Sequence, residues 1–429
     1  MKLSVVLGLT LCLSVPLLCW GQSQKREMTL EEVESSFVKK NFLLIAGQFG
    51  VEEEKAQVIQ AGLWINPEIS INQNIYNQET RKHFDTGKNG QSQIQIMQGF
   101  SLTGRIQKAK DAARMNAKSA EEGFFDLMRN LKLELRSNYF NLHFKSQILS
   151  FYEESLVHLN KTLEIVEKNF NAGNITMMEL MRIRGVVFQV EDDKKNLLLQ
   201  VIEHQQNLSV MLGESGLLVG TVLSDALLNK ELTADVKSID ESLKLAYDSR
   251  PDLRALDFSY RAEKFNLDLQ RARAMPDLKL GAEYDRNSNY IRDYYGLLVS
   301  FDIPLFDRNQ GNIKSAAAKM NSLKARSEHL KLEIEKEIRL AHSKVIENDK
   351  LYKRYKNRFA DGISKLAPIL NSNYQKKYIS SLEFSDSFDS LRASVSQYLL
   401  LETDRFTSAE NFNFSVGREL ISFYPQSGK

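Results

Sequence analysis

The sequence predicts a mainly α chain with a small β part: long antiparallel coiled-coil hairpins, and four strands of membrane-crossing length. Three observations predict it. The two halves of the chain repeat one order of residues. Each half carries two segments that alternate apolar and polar side chains, the period of a strand. Each half then continues in a helical pattern too long for an ordinary globular domain.

The charge balance narrows the function classes. Of 429 residues, 26% are charged and the net charge is only +2, which suits neither a nucleic-acid binder nor a disordered chain. The first residues, "MKLSVVLGLTLCLSVPLLCWGQSQ", place one lysine before an apolar run and read as a secretory signal peptide over residues 1–21. Leu18 before Cys19 speaks against lipidation there. Both cysteines, Cys12 and Cys19, fall in this segment, so the mature chain is expected to be free of disulfides and thiolate chemistry. No later stretch is apolar enough for a transmembrane helix of about 20 residues.

The repeat is legible without gaps. "TLEEVESSFVKKNFLLIAGQFGVEEEKAQVIQAGLWINPEI" from Thr29 aligns with "SIDESLKLAYDSRPDLRALDFSYRAEKFNLDLQRARAMPDL" from Ser238 at a shift of 209 (276 − 67), pairing Leu44 with Leu253 and Pro67 with Pro276. "FNAGNITMMEL" from Phe170 matches "YQKKYISSLEF" from Tyr374 at a shift of 204 (374 − 170). Two blocks in the same order argue for a duplication. The expected division is a first repeat over residues 22–214, a connecting segment 215–233, a second repeat 234–419 and a tail 420–429.

Within each repeat the order is helix, strand, loop, strand, then two very long helices. The strands are expected at about Asn66–Asn77, Gln91–Leu102, Pro276–Asn287 and Tyr294–Leu305. Ten to twelve residues is the length a tilted strand needs to cross a bilayer. From Gly104 to about Phe170 the helical pattern has no break, on the order of 100 Å at 1.5 Å per residue. Coiled-coil packing is the natural way to bury its apolar stripe. At the hairpin turns, Gly173 suits a left-handed cap, and Thr176 with Glu179 suits a capping box. Ser380 and Glu383 repeat that box, but Lys377 replaces the glycine, so the second turn is expected to differ in shape. Pro368 lies inside the second copy's long helix, where the first copy has Glu164, and is expected to kink that hairpin.

Four strands cannot hide their edges, and an open edge in a bilayer leaves backbone groups unpaired. If the strands span a membrane, several chains must share one barrel, and three chains supply twelve strands. The other reading of the residues is a soluble protein with small sheets packed on helices.

"NPEISI" at Asn66–Ile71, "RPDLRA" at Arg250–Ala255 and "IPLFDRNQGNI" at Ile303–Ile313 resemble the TolC-like outer-membrane efflux proteins. "PLFDRNQGNI" is most similar to the heavy-metal branch, of the cobalt–zinc–cadmium resistance type. The resemblance covers nearly the whole mature chain. It implies a homotrimer with a twelve-stranded β-barrel in outer-membrane lipid, continued by a helical tunnel through the periplasm. The implied partners are a periplasmic adaptor (membrane fusion) protein and an inner-membrane RND-type pump. Gly104, Pro304 and Gly311 then mark the junction of barrel and tunnel. Gly173, Ile175, Thr176, Glu179, Lys377, Ile379 and Ser380 form the tips that an adaptor would touch. Asp386 stands where the resemblance places acidic pore-narrowing residues. Glu383 and Arg182, the latter its equivalent in the first copy (386 − 204), complete the candidate gate.

No enzyme chemistry is legible. The six histidines, His83, His143, His158, His204, His329 and His342, include no pair at helical metal-ligand spacing. There is no phosphate-binding loop and no nucleophile motif, and no cofactor or resident metal is expected. Met177 and Met178 at the first tip suit apolar contact better than soft-metal binding. The expected function is a passive exit duct of a tripartite efflux pump, with divalent metal cations as candidate cargo. The alternatives are the outer-membrane duct of a type I protein-secretion system and a non-channel periplasmic coiled-coil protein.

Overall fold

The computed structural model describes residues 25–288, 291–359 and 363–424. The expected signal peptide and both cysteines lie outside them. In chain order the first half runs β1 (Lys25–Thr29), α1 (Leu30–Lys40), α2 (Phe42–Ala61), β2 (Glu68–Gln73), β3 (Tyr76–Asn77), β4 (Lys82–His83), β5 (Ser92–Phe100), α3 (Arg105–Asn171) and α4 (Met177–Met211). A connector follows with β6 (Leu218–Val222), α5 (Asp225–Leu228) and a short 3-10 turn (Leu232–Asp235). The second half runs α6 (Ile239–Ser249), α7 (Pro251–Arg273), β7 (Leu278–Asn287), β8 (Arg292–Phe301), α8 (Gln310–Phe359), α9 (Ile363–Gln375) and α10 (Ser381–Val416).

The duplicated order recurs in space, and local chemistry explains its breaks. The helix expected at the start of each repeat is two helices. Asn41 ends α1 in extended backbone and its side chain accepts from the amides of Leu43 and Leu44, starting α2. At the matching position Arg250 is extended and Pro251 opens α7 at its first turn, where a missing N–H costs nothing. Thr29 and Ser238 cap α1 and α6 alike, each accepting from a glutamate amide three residues on.

The 67 residues of α3 form one continuous helix, about 100 Å long. It packs against α2, α4, α7 and α10. Among the described residues the apolar core forms two large clusters and a small third one of Ala246, Leu253, Ile334 and Ile338. Around mid-length of the helices, Phe140, Phe144, Phe406 and Phe423 stack, with Phe140 and Phe406 centroids 5.1 Å apart. Toward the hairpin ends a second cluster joins Leu159, Ile183, Phe384 and Phe388. Beyond α10, Ile421 and Phe423 are buried in the first cluster, and residues 425–429 lie outside the described residues.

Buried cations tie the elements together. Arg136 on α3 is 1% exposed. It donates to Glu34 on α1 at 2.6 Å, to Glu410 on α10 at 2.6 Å and to Glu419 at 3.1 Å. Arg405 on α10 donates to the fully buried Asp349 on α8 at 2.7 Å and to the carbonyls of Leu228 and Lys230 in the connector, and stacks over Tyr352. The connector also reaches back to the N-terminus, because β6 pairs in parallel with β1 across almost the whole first repeat.

The remaining sheet has the order β2-β5-β7-β8, antiparallel throughout, so strands from both repeats join in one sheet. Pro368 does not break α9, which stays helical from Ile363 to Gln375.

Candidate channel site

The sheet has two chemically distinct faces. Register places Ile69, Ile96, Ala282 and Leu297 in one row across all four strands, and Ile71, Ile94, Tyr284 and Tyr295 in the next. Phe100, Leu278 and Phe301 end the same face nearest the helices. These side chains have no covering layer: Ile71 is 72% and Leu297 80% exposed. The opposite face carries Ser70, Gln95, Glu283 and Gly296 in one row and Asn72, Gln93, Asp285 and Tyr294 in another. There Glu283 accepts from the amides of Gln93 at 3.0 Å and Gln95 at 2.8 Å. The ten residues of β7 and of β8, at about 3.3 Å each and tilted by about 40°, rise about 25 Å, the height of a barrel's apolar band, whereas β2, Glu68–Gln73, is half as long as the expected Asn66–Asn77 strand. A soluble protein would bury the isoleucine face. Both outer strands, β2 and β8, leave an edge unpaired in the single chain.

The junction differs in detail from the sequence expectation. The β8 ladder ends at Leu278 opposite Phe301, three residues before Pro304, so the proline follows the ladder rather than ending it. Gly104 takes the left-handed backbone (φ 66°) directly before α3. Its counterpart is not Gly311, which is already inside α8, but Asn309 (φ 55°). Asparagine tolerates that conformation. Two bonds hold it there: the Asn309 backbone N–H donates to Asp307 at 2.8 Å, and its side chain donates to the Gln270 carbonyl at 2.8 Å.

At the hairpin tips the two repeats converge on one turn. Gly173 (φ 77°) and Lys377 (φ 59°) are both left-handed, each followed by the same pair of closing bonds: Gly173 N–H to Phe170 and Asn174 N–H to Asn169; Lys377 N–H to Tyr374 and Tyr378 N–H to Asn373. The expected difference in shape is therefore corrected. The lysine adopts a backbone that costs a side chain about 1–2 kcal/mol, held by the same two closing bonds as the glycine turn. The caps differ instead. Ser380 and Glu383 form the full reciprocal box. Thr176 receives the Glu179 amide at 3.3 Å, but the Glu179 carboxylate turns away and accepts the Tyr374 hydroxyl at 3.2 Å. That bond links the first hairpin to the second. Burial and the nearby Glu179 charge push the Tyr374 hydroxyl well above its usual range. Ile175, Glu179, Lys377, Ile379 and Ser380 line a cleft of about 410 Å³ between the two tips.

Of the gate candidates, Asp386 is exposed on α10 beside Leu366, Leu370 and Ser390. Glu383 is occupied by its cap. Arg182 is half-buried and donates to Ser381 at 3.2 Å, joining α4 to the start of α10. The structure adds Asp389, one turn beyond Asp386; burial and then the Asp386 charge raise its carboxyl. Arg392 contacts Asp389 at 3.4 Å and pairs with Asp193 on α4. The i, i+3 spacing in "SDSFDS" was the available signal for the acidic pair. Met177, Met178 and Met181 are exposed on the first turns of α4. Among the described residues no cluster of three or more His, Cys, Asp or Glu could hold a metal, and no helix is long and apolar enough to cross a membrane.

Comparison with known proteins agrees with this architecture. The family model described as "Outer membrane efflux protein" matches residues 35–214 and 242–345, well over half of the chain. The cobalt-zinc-cadmium resistance protein CzcC of Cupriavidus metallidurans is 22% identical over 305 residues, 71% of this chain and 69% of that protein. The nickel-cobalt-cadmium resistance protein NccC of Alcaligenes xylosoxydans xylosoxydans is 23% identical over 302 residues; the chain spans slightly under two thirds, 65%, of its length. Among solved structures, CusC, described for conformational changes accompanying transmembrane channel formation, superposes with a TM-score of 0.71 at 22% identity, over 90% of this chain and 92% of that one. The outer membrane protein VceC of Vibrio cholerae superposes with a TM-score of 0.68 at 16% identity, over 91% and 96%. The chain belongs to the outer membrane efflux protein family.

Proposed function

We propose that this chain is the outer-membrane exit duct of a tripartite efflux pump, built as a homotrimer. The observation that carries the reading is the four-stranded sheet with one uncovered apolar face, one polar face and two open edges. Three copies close twelve strands into a barrel whose apolar face meets lipid and whose polar face, with Glu283 and its glutamine partners, lines the lumen. The 67-residue α3 and its neighbours continue that lumen into the periplasm. The hairpin tips face an adaptor, and an inner-membrane pump drives transport. Conduction through the duct itself is passive, with no enzymatic step. Similarity to two metal-resistance proteins favours divalent metal cations as cargo. It also favours this reading over a secretion duct, while the uncovered apolar sheet disfavours a soluble coiled-coil protein. The expected mass in mild detergent is that of three chains, recovered from the outer-membrane fraction. A monomer, or a protein in the soluble periplasm, sinks the reading.

The second hairpin, with Pro368 in α9, is our candidate for the inner, closing hairpin. It brings Asp386 and Asp389 of three chains around one axis. At about 6–8 Å and an effective dielectric near 20, each like-charged pair repels by roughly 2–3 kcal/mol, which favours cations in the opening. Asp386→Asn is expected to reduce cation preference and divalent-ion block in single-channel recordings. Unchanged selectivity and block would place Asp386 away from the pore.

A further inference from the structure

The end of the sheet farthest from the helices carries a pocket that the conduction path does not use. The last aromatic pair on the apolar face is Tyr284 and Tyr295, ring centroids 5.1 Å apart. Two residues farther along β7, Arg286 returns to that same face, because strand side chains alternate. The loop between β4 and β5 brings Lys88 beside it, and Arg292, opposite Asn287 in the polar register at the start of β8, lines the same pocket next to the left-handed Asp293 (φ 54°). These three cations line an open pocket of about 490 Å³. Its single carboxylate among the described lining residues, Asp293, already accepts the Tyr284 hydroxyl at 2.7 Å. Arg286 donates to the Thr86 carbonyl and also bonds the Tyr284 hydroxyl, and Arg292 donates to Asn89 at 3.3 Å. A guanidinium carries five N–H donors, more than these contacts take up.

Position and chemistry agree on what that anion is. Tyrosines on the lipid face of a barrel sit at headgroup level, so cations just beyond them meet headgroups rather than acyl chains. Arginine forks match phosphate oxygens in pairs, and lysine adds a mobile charge on a long stem. We propose that Lys88, Arg286 and Arg292 form a binding site for the phosphate of an outer-leaflet lipid headgroup. The site rests on the reading that the sheet spans the outer membrane. It would anchor the outer rim of the barrel and fix its depth.

The test uses the full-length protein extracted from outer membranes and stripped of lipid in detergent. Native mass spectrometry follows titration with a diphosphorylated, acylated glucosamine disaccharide, with the same lipid lacking both phosphates, and with inorganic phosphate. The wild type is expected to hold the phosphorylated lipid at least about tenfold more tightly than the phosphate-free one. Replacing Lys88, Arg286 and Arg292 together by Gln is expected to abolish that preference while the oligomer persists. Should the triple variant not fold, Lys88→Gln alone, at an exposed loop position, is expected to weaken the preference measurably. Equal retention of the two lipids by the wild type overturns the proposal. Inorganic phosphate binding as tightly as the phosphorylated lipid would make this a free-anion site and overturn the lipid assignment. Absence of the protein from the outer membrane is a separate failure, of the membrane reading itself, and is seen before any titration.

Discussion

Arg136→Met is expected to destabilise the folded chain by about 3–5 kcal/mol, because it leaves Glu410 buried without its bonded cation and leaves Glu34 with Lys132 alone, at 3.2 Å. Glu410 is 4% exposed and lies 2.6 Å from Arg136; Glu34 lies at the same distance on the other side. The two carboxyls respond to their surroundings in opposite directions. Burial raises Glu410, outweighing the attraction of Arg136 and Lys132. Burial also opposes ionisation of Glu34, but there Arg136 and Lys132 prevail and its carboxyl is lowered. The sign of each contribution to stability follows. Glu34, lowered, stabilises the fold above its unfolded pKa and loses that contribution as pH falls through its folded one. Glu410, raised, stabilises below its unfolded pKa and loses that contribution as pH rises through its folded one. In the variant, Glu410 is left buried without its cation, so its protonation brings relief. The deficit is expected to shrink as pH falls through the raised pKa of Glu410. Thermal unfolding of wild type and variant in detergent measures this, and Glu410→Gln added to Arg136→Met is expected to recover part of the loss. A deficit below about 1 kcal/mol, or one that is independent of pH, would show that the cluster does not depend on this charge.

Leu297→Arg is expected to cost about 2–4 kcal/mol per chain if the residue faces the middle of a bilayer, and three copies multiply the effect in one barrel. Leu297 is chosen because it is 80% exposed in the single chain and sits in a row with Ile69, Ile96 and Ala282. Little would change for the chain in water. Ser70→Arg is the control: Ser70 lies on the opposite face, in the row of Gln95 and Glu283, and is expected to leave assembly intact. The measurement is the fraction of each variant recovered as heat-resistant oligomer in the outer membrane. Equal recovery of the two variants would mean that the isoleucine face does not meet lipid.

Much of the fold was legible in the residues because its rules act over a few positions. The duplication is visible as aligned blocks, and the strands as alternation in "EISINQ" and "YYGLLVSF". The tips were visible in Gly173, Thr176, Ser380 and Glu383, since caps and left-handed turns are decided within four residues. Of the proposed gate, Asp386 was named from the resemblance, while Asp389 and its contact with Arg392 appear only in the folded chain. Local rules also misled where packing overruled them. Lys377 takes a glycine's backbone because the same closing bonds hold both turns. Glu179 leaves its cap for Tyr374, a partner 195 positions away. Asn309 rather than Gly311 makes the left-handed turn into α8, and Gln270 holds it there.

By itself, then, the sequence determined the duplicated order of strands and long helices, the ten-residue span of β7 and β8 and the places of the hairpin turns, while it read β2, Glu68–Gln73, as twice its length and missed β1 and β6. Tertiary structure alone decided that strands from both repeats share one sheet, that β6 returns to β1, and that Arg136 and Arg405 are buried. The physical reason is range. A helical arginine has the same neighbours in sequence whether its guanidinium meets water or buried carboxylates. Those carboxylates come from residues 34, 349 and 410, which only the folded chain brings within hydrogen-bonding distance.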